Sequence, residues 1–163
     1  MSKRFPLIIR QADEDDLNSI CVLSNEIYGD HFKSMPANFV QPKDDNRDAA
    51  YWQCFMNVDD AIVLVAQEEE KIMGAVCAKI VVTKGIPFLA EKTRLYIGTI
   101  VVTDKQQRRG VASLLMSHVE EFSQKFNATE VLLEVMSFNQ GAIDFYRALG
   151  FENFSTKLAK KLP

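Results

Sequence analysis

A chain of 163 residues with 47% apolar and 25% charged residues has the makeup of one folded domain, and at this length roughly two thirds of the unfolded surface is available for burial. A net charge of -3 and a pI near 5.4 exclude the broad basic face that grips nucleic acid. Apolar runs such as 61–66 and 95–102 are too short to cross a bilayer, which takes roughly 20 residues, and the start turns acidic before a signal-type apolar core forms. A cytoplasmic protein with no membrane partner is therefore expected, folded as a single domain over residues 1–163.

In chain order, Leu7 to Gln11 is a short β-prone run. The acidic stretch Ala12-Asp13-Glu14-Asp15-Asp16 then favours a helix start through capping and the helix dipole. Leu17, Ile20, Cys21 and Ile27 recur at helical spacing, so the first helix should run to about Tyr28. Residues 29–42, with two prolines and a glycine, read as an irregular loop, and a second helix is expected from Asp45 to about Asn57. Ala61 to Gln67 and Ile72 to Val82 form a hairpin around a charged turn, followed by a long strand at Arg94 to Thr103. Gly110 to Phe126 is amphipathic, with Val111, Leu115, Val119, Phe122 and Phe126 on one stripe. A strand at Glu130 to Met136, a helix from Gln140 to Leu149 closed by Gly150, and a final strand from Phe151 to Leu158 complete the series. Antiparallel runs first and a strand, helix, strand unit later predict an α/β (α+β) fold, with a mixed, mostly antiparallel sheet flanked by helices.

Cys21, Cys54 and Cys77 are odd in number, widely spaced and unclustered with His31 or His118, so they read as reduced, mostly buried thiols; no metal site is expected. Chemistry is expected at two other places. The turn Thr103 to Ala112 leads into the long helix, whose first backbone N–H groups have no partner within it and suit phosphate oxygens. GxGxxG and GxxxxGK followed by Ser or Thr are both absent, which argues against a dehydrogenase or an ATPase. The second place is Leu133 to Phe151, where Asn139 stands as an N-cap and Ala142, Tyr146 and Leu149 share a helical face. A plain cap and a core tyrosine are the bland alternatives there.

Together these segments resemble the GNAT N-acetyltransferase family. Its signature of Gln or Arg, two residues, Gly, one residue, then Gly or Ala is matched by Gln107-Arg108-Arg109-Gly110-Val111-Ala112. Its later Asn, Ala, Tyr and Gly-Phe appear as Asn139, Ala142, Tyr146 and Gly150-Phe151. Asp104 stands where the family often has Pro, and Ala112 where Gly is common.

The resemblance implies an enzyme that moves an acetyl group from acetyl-CoA onto an amine acceptor, with acetyl-CoA as cosubstrate and no metal. Backbone groups of Ile100, Val101 and Val102 would pair with the pantetheine arm, and the turn Gln107, Arg108, Arg109, Gly110, Val111, Ala112 would take the pyrophosphate, with Lys105 a further phosphate contact. Asn139 would position the arm, Tyr146 would protonate the sulfur leaving group, and Glu134 is the first choice of general base, with Tyr28, Asp30 and His31 as alternatives. His118 is expected at the surface. A non-catalytic acyl-CoA sensor and a structural domain with a vestigial site are the competing readings. The resemblance leaves the acceptor and a homodimer open.

Overall fold

The structure is a computed structural model that describes residues 6–43, 46–103 and 109–162. Five strands, β1 (Leu7–Gln11), β2 (Ala61–Glu68), β3 (Lys71–Thr83), β4 (Lys92–Val102) and β5 (Glu130–Leu132), lie in sequence order across one sheet. The first four pair antiparallel and β4 pairs parallel with β5, since the helix between those two strands carries the chain back to the starting end. The helices are α1 (Leu17–Ser34), α2 (Ala49–Gln53), α3 (Val111–Gln124) and α4 (Gln140–Ala148).

Strand alternation divides the core into two layers. Val63 and Val65 of β2 with Ala75 and Cys77 of β3 face Ile20, Cys21 and Leu23 of α1 and Trp52 of α2. Their neighbours Leu64, Ala66, Val76 and Ala78 face Leu115, Met116 and Val119 of α3, with Phe145 of α4 packed alongside. On β4 the alternation changes phase. Leu95 and Ile97 belong to the α3 side, whereas Val101, of the same parity, belongs to the α1 side. The register explains this: Cys77 lies opposite Thr99 and Ala78 opposite Ile97, so Gly98 is the extra residue of a β-bulge. A Cβ on Gly98 would sit 2.8 Å from the Tyr51 hydroxyl and 2.9 Å from the Phe55 ring, so any larger residue would push these rings aside.

At the entrance to α1, Asp13 and Asp16 form a capping box, and Arg10 clamps Asp16 through two hydrogen bonds of 2.6 and 2.8 Å.

Four expectations are corrected. First, α1 continues to Ser34, so Tyr28, Asp30 and His31 are helical. Gly29 is tolerated within the helix, and His31 and Lys33 complement the dipole in the last turn. Second, α2 spans five residues, with Asp44 and Asp45 outside the described residues. Third, β5 ends at Leu132, because its partner β4 is paired with it only at Arg94–Tyr96, short of the bulge. Fourth, residues 151–158 form no strand. Phe154 and Leu158 meet no buried face there, and the segment is tied to the sheet by a contact of Phe154 with Arg94 and an ion pair from Lys157 to Glu134.

Candidate active site

Beyond Tyr96 and Leu132, β4 and β5 part. Residues Thr99, Ile100, Val101 and Val102 keep their ladder to β3 on one side, through Cys77, Val76, Ala75 and Gly74, while the side toward β5 lies outside the β5 ladder. An edge of this kind offers backbone donors and acceptors to an extended ligand.

Close in sequence, α3 opens at Gly110, whose φ of 79° and ψ of 5° are left-handed. A Cβ there would touch nothing within 4 Å, so the backbone conformation, and not crowding, calls for glycine. The helix has no side-chain cap and no acidic residue in its first turn, and its first internal bond runs from Leu114 N–H to the Gly110 carbonyl. The N–H groups of Val111, Ala112 and Ser113 thus precede the helical ladder, and the dipole makes that end attractive to an anion. Val111 is buried in the core and fixes the turn's position. Arg109 pairs with Glu68 at 3.3 Å. Gln107, Arg108 and Lys105 lie outside the described residues.

Tyr146 is held by the way α4 ends. Gly150, at φ 90°, donates to the Arg147 carbonyl and Phe151 donates to the Tyr146 carbonyl, the two bonds of a Schellman motif. No group among the described residues accepts from the Tyr146 hydroxyl, and burial pushes its pKa up to about 12. The phenol therefore keeps its proton at neutral pH. Asn139 caps α4, accepting from Ala142 N–H at 3.2 Å, which fulfils the simple structural expectation for it. Glu134 follows β5 on the exposed side, where Lys157 donates to both its oxygens at 2.9 and 3.2 Å. Half-buried Tyr96, the last β4 residue paired to β5, lies within its electrostatic reach: burial first, and the Glu134 charge second, push the Tyr96 hydroxyl upward.

A second group of residues meets the same strand from the α1 side. The bulge at Gly98 turns Thr99 toward α1 and α2, where its hydroxyl lies 2.9 Å from Tyr51 Oη and 3.5 Å from Tyr28 Oη. Cys77 Sγ donates to the Tyr51 hydroxyl at 3.7 Å, and burial drives both the Tyr51 phenol and the Cys77 thiol upward, the thiol to about 12. Tyr28, Phe39, Val40, Arg47, Asp48 and Tyr51 line an open cleft of about 420 Å³. Of the alternative bases, Tyr28 enters this cleft, Asp30 is exposed and pairs with Lys33, and His31 bonds the Ile27 carbonyl through Nδ1. His118 bonds the Leu114 carbonyl on α3, half-exposed as expected. Sequence reasoning missed Thr99 and Tyr51. The signal available for them was a lone glycine inside a β-branched run, Ile97-Gly98-Thr99-Ile100, which marks a bulge.

Among the described residues, no group of three or more His, Cys, Asp or Glu could hold a metal ion, and no helix is long and apolar enough to cross a membrane.

A strand edge parting beside an uncapped helix start defines a class that comparison with known proteins identifies. Residues 24–151 match the model of the Acetyltransferase (GNAT) family, and the chain belongs to that family. The probable N-acetyltransferase san of Drosophila melanogaster is 33% identical over 94 residues, 57% of this chain and 48% of that protein. This chain thus spans about half the length of the curated relatives it matches. Among solved structures, a mutant of the BH1408 protein of Bacillus halodurans superposes with a TM-score of 0.89 at 22% identity, covering 96% of this chain and 99% of that one. The aminoglycoside N-acetyltransferase AAC(6')-Iy in complex with CoA superposes with a TM-score of 0.72 at 17% identity, covering 99% and 98%. At these identities the two structures bear on the fold.

Proposed function

We propose that residues 1–163 act as one domain that transfers an acetyl group from acetyl-CoA to a primary amine, by direct attack of the amine in a ternary complex. The observation that carries this reading is the parting of β4 from β5 after Tyr96, on the strand that precedes the left-handed, uncapped start of α3 at Gly110. These residues fit a pantetheine-bearing diphosphate: an extended polar arm matches a strand edge, and a diphosphate matches N–H groups at a helix start.

When bound, acetyl-CoA supplies the acetyl group as an activated thioester. Ile100, Val101 and Val102 hold the arm through their backbone, with a backbone N–H near Val102 polarising the carbonyl. The turn from Gln107 through Arg108, Arg109, Gly110, Val111 and Ala112 holds the diphosphate, with Lys105 beside it. Tyr146 carries a proton that burial keeps in place, and in this reading it gives that proton to the departing sulfur. Glu134 takes the proton that the amine loses, and Asn139 sets the direction in which α4 enters the site by capping it.

The test is calorimetric titration with acetyl-CoA, followed by an assay of thiol release with a panel of primary amines. Heat of binding together with amine-dependent release of CoA supports the reading. Absence of binding heat from folded protein overturns it.

A further inference from the structure

The cleft beside α1 and α2 carries information about the acceptor, taking the acetyl-transfer reading above as given. Its walls are Tyr28, Phe39, Val40 and Tyr51, and the Tyr28 and Phe39 rings stack at 6.5 Å between centroids. Val40 is 71% exposed, an apolar group left open at the mouth. One wall reaches β4: the Tyr51 hydroxyl lies 2.9 Å from that of Thr99, one residue before the backbone assigned to the pantetheine arm. Edge contacts run from Phe39 to His31 at 5.0 Å and from His31 to Phe138 at 5.2 Å, so the same wall continues to the turn that leads into Asn139 and α4. The walls of the cleft therefore connect to both halves of the site.

Its charges point the same way. Arg47 lies over the Tyr28 ring at 5.7 Å and donates to the Val40 carbonyl at 3.1 Å, leaving a cation at the rim. Asp48 sets one carboxylate against it in the lining: one oxygen accepts from the Trp52 indole N–H at 3.3 Å, and the other is buried with no hydrogen-bond partner among the described residues. A polycation entering this cleft would bring several ammonium groups to a lining whose one carboxylate, Asp48, is already offset by Arg47, which is unfavourable. A single amine on a flat apolar group would instead bury that group against three rings, and a volume of about 420 Å³ suits a ring with a short chain.

We propose that the acceptor is a monoamine borne on a bulky apolar group, which seats against Tyr28, Phe39, Val40 and Tyr51 and presents its nitrogen toward Thr99. The same chemistry occurs in a small arylalkylamine and in the first residue of a peptide.

The experiment compares 2-phenylethylamine, a short peptide beginning with phenylalanine, and spermidine as acceptors, in protein whose binding of acetyl-CoA has been measured by calorimetry. At least one apolar amine should exceed spermidine by tenfold or more in kcat/KM, and the better of the two names the source. Phe39→Ala should raise KM for that amine by about tenfold with the heat of acetyl-CoA binding unchanged, and Phe39→Leu should restore part of the loss. Arg47→Gln should narrow the gap to spermidine. Preference for spermidine, transfer to none of the three while acetyl-CoA binds, or indifference of the apolar amine to Phe39→Ala would each overturn the assignment. Loss of acetyl-CoA binding in the parent protein would instead sink the transferase reading itself.

Discussion

Phe151 holds Tyr146 twice: its N–H donates to the Tyr146 carbonyl at 3.0 Å, and its ring meets the phenol ring edge-on at 5.6 Å between centroids. The end of α4 thus fixes the side chain that the proposed chemistry requires as an acid. The turn closes only because Gly150 adopts a left-handed conformation.

Tyr146→Phe keeps this packing and removes the proton. Turnover should fall by roughly 10² to 10⁴, with the affinity for acetyl-CoA little changed. Because burial pushes the phenol up to about 12, the parent enzyme should show no loss of rate from ionisation of this group below about pH 10. Steady-state kinetics across pH checks both statements, and unchanged turnover in the variant removes Tyr146 from the reaction.

Gly110→Val forces a β-branched residue into a left-handed backbone, at a cost of about 1–2 kcal/mol or a shifted turn. Acetyl-CoA binding should be abolished while far-ultraviolet circular dichroism still reports a folded chain. Intact binding would count against the α3 start as the diphosphate site.

Glu134 and Lys157 form an exposed pair whose two members should behave differently. Glu134→Gln should lower turnover by about 10² if the carboxylate takes the amine proton, whereas Lys157→Ala should leave it undiminished. Equal losses from both would mark the pair as structural.

Arg10 and Asp16 join β1 to the start of α1, and the hydrogen bonds from Arg10 hold the Asp16 carboxyl below its usual range. A lowered carboxyl contributes stability that is present above the unfolded value near 4 and lost as pH falls through the folded one. Asp16→Asn should destabilise by about 1–2 kcal/mol at pH 7, a modest figure because the Arg10 side chain is 34% exposed. The difference from the parent should shrink as the pH is lowered below about 4. Thermal melts at pH 7 and pH 3 measure both.

The cysteines should separate by accessibility. Cys54 is exposed, while Cys21 and Cys77 are buried and the Cys77 thiol is pushed up to about 12. Native protein should lose one thiol rapidly to an alkylating reagent at pH 8 and all three only after denaturation. Mass spectrometry of the modified peptides gives the answer.

Local periodicity made most of the sheet legible. β2 to β4 are apolar and β-branched runs, β2 and β3 buried on both faces, and α3 follows a helical stripe that buries one face against the sheet. The misreadings fall where a local pattern depends on a distant partner. Residues 133–136 and 151–158 have strand composition, yet a strand requires a ladder, and β4 stops supplying one at Tyr96. The helical state of Asp30 and His31 was hidden by Gly29, which reads as punctuation but is absorbed within α1.

Of the candidate site, the Gly110 and Tyr146 segments came forward through their resemblance to the GNAT signature. Thr99, Tyr51 and the Phe39 wall did not, since they converge only after the bulge has reset the faces of β4.

That single inserted residue gives one strand two addresses. Upstream of Gly98 odd-numbered side chains look toward α3, and downstream of it they look toward α1, so the two faces are encoded by interleaved positions of the same short run. Sequence change at Thr99 thus alters the α1-side surface while Ile100 and Val102 keep the packing on the α3 side, so the two faces of one strand can vary independently.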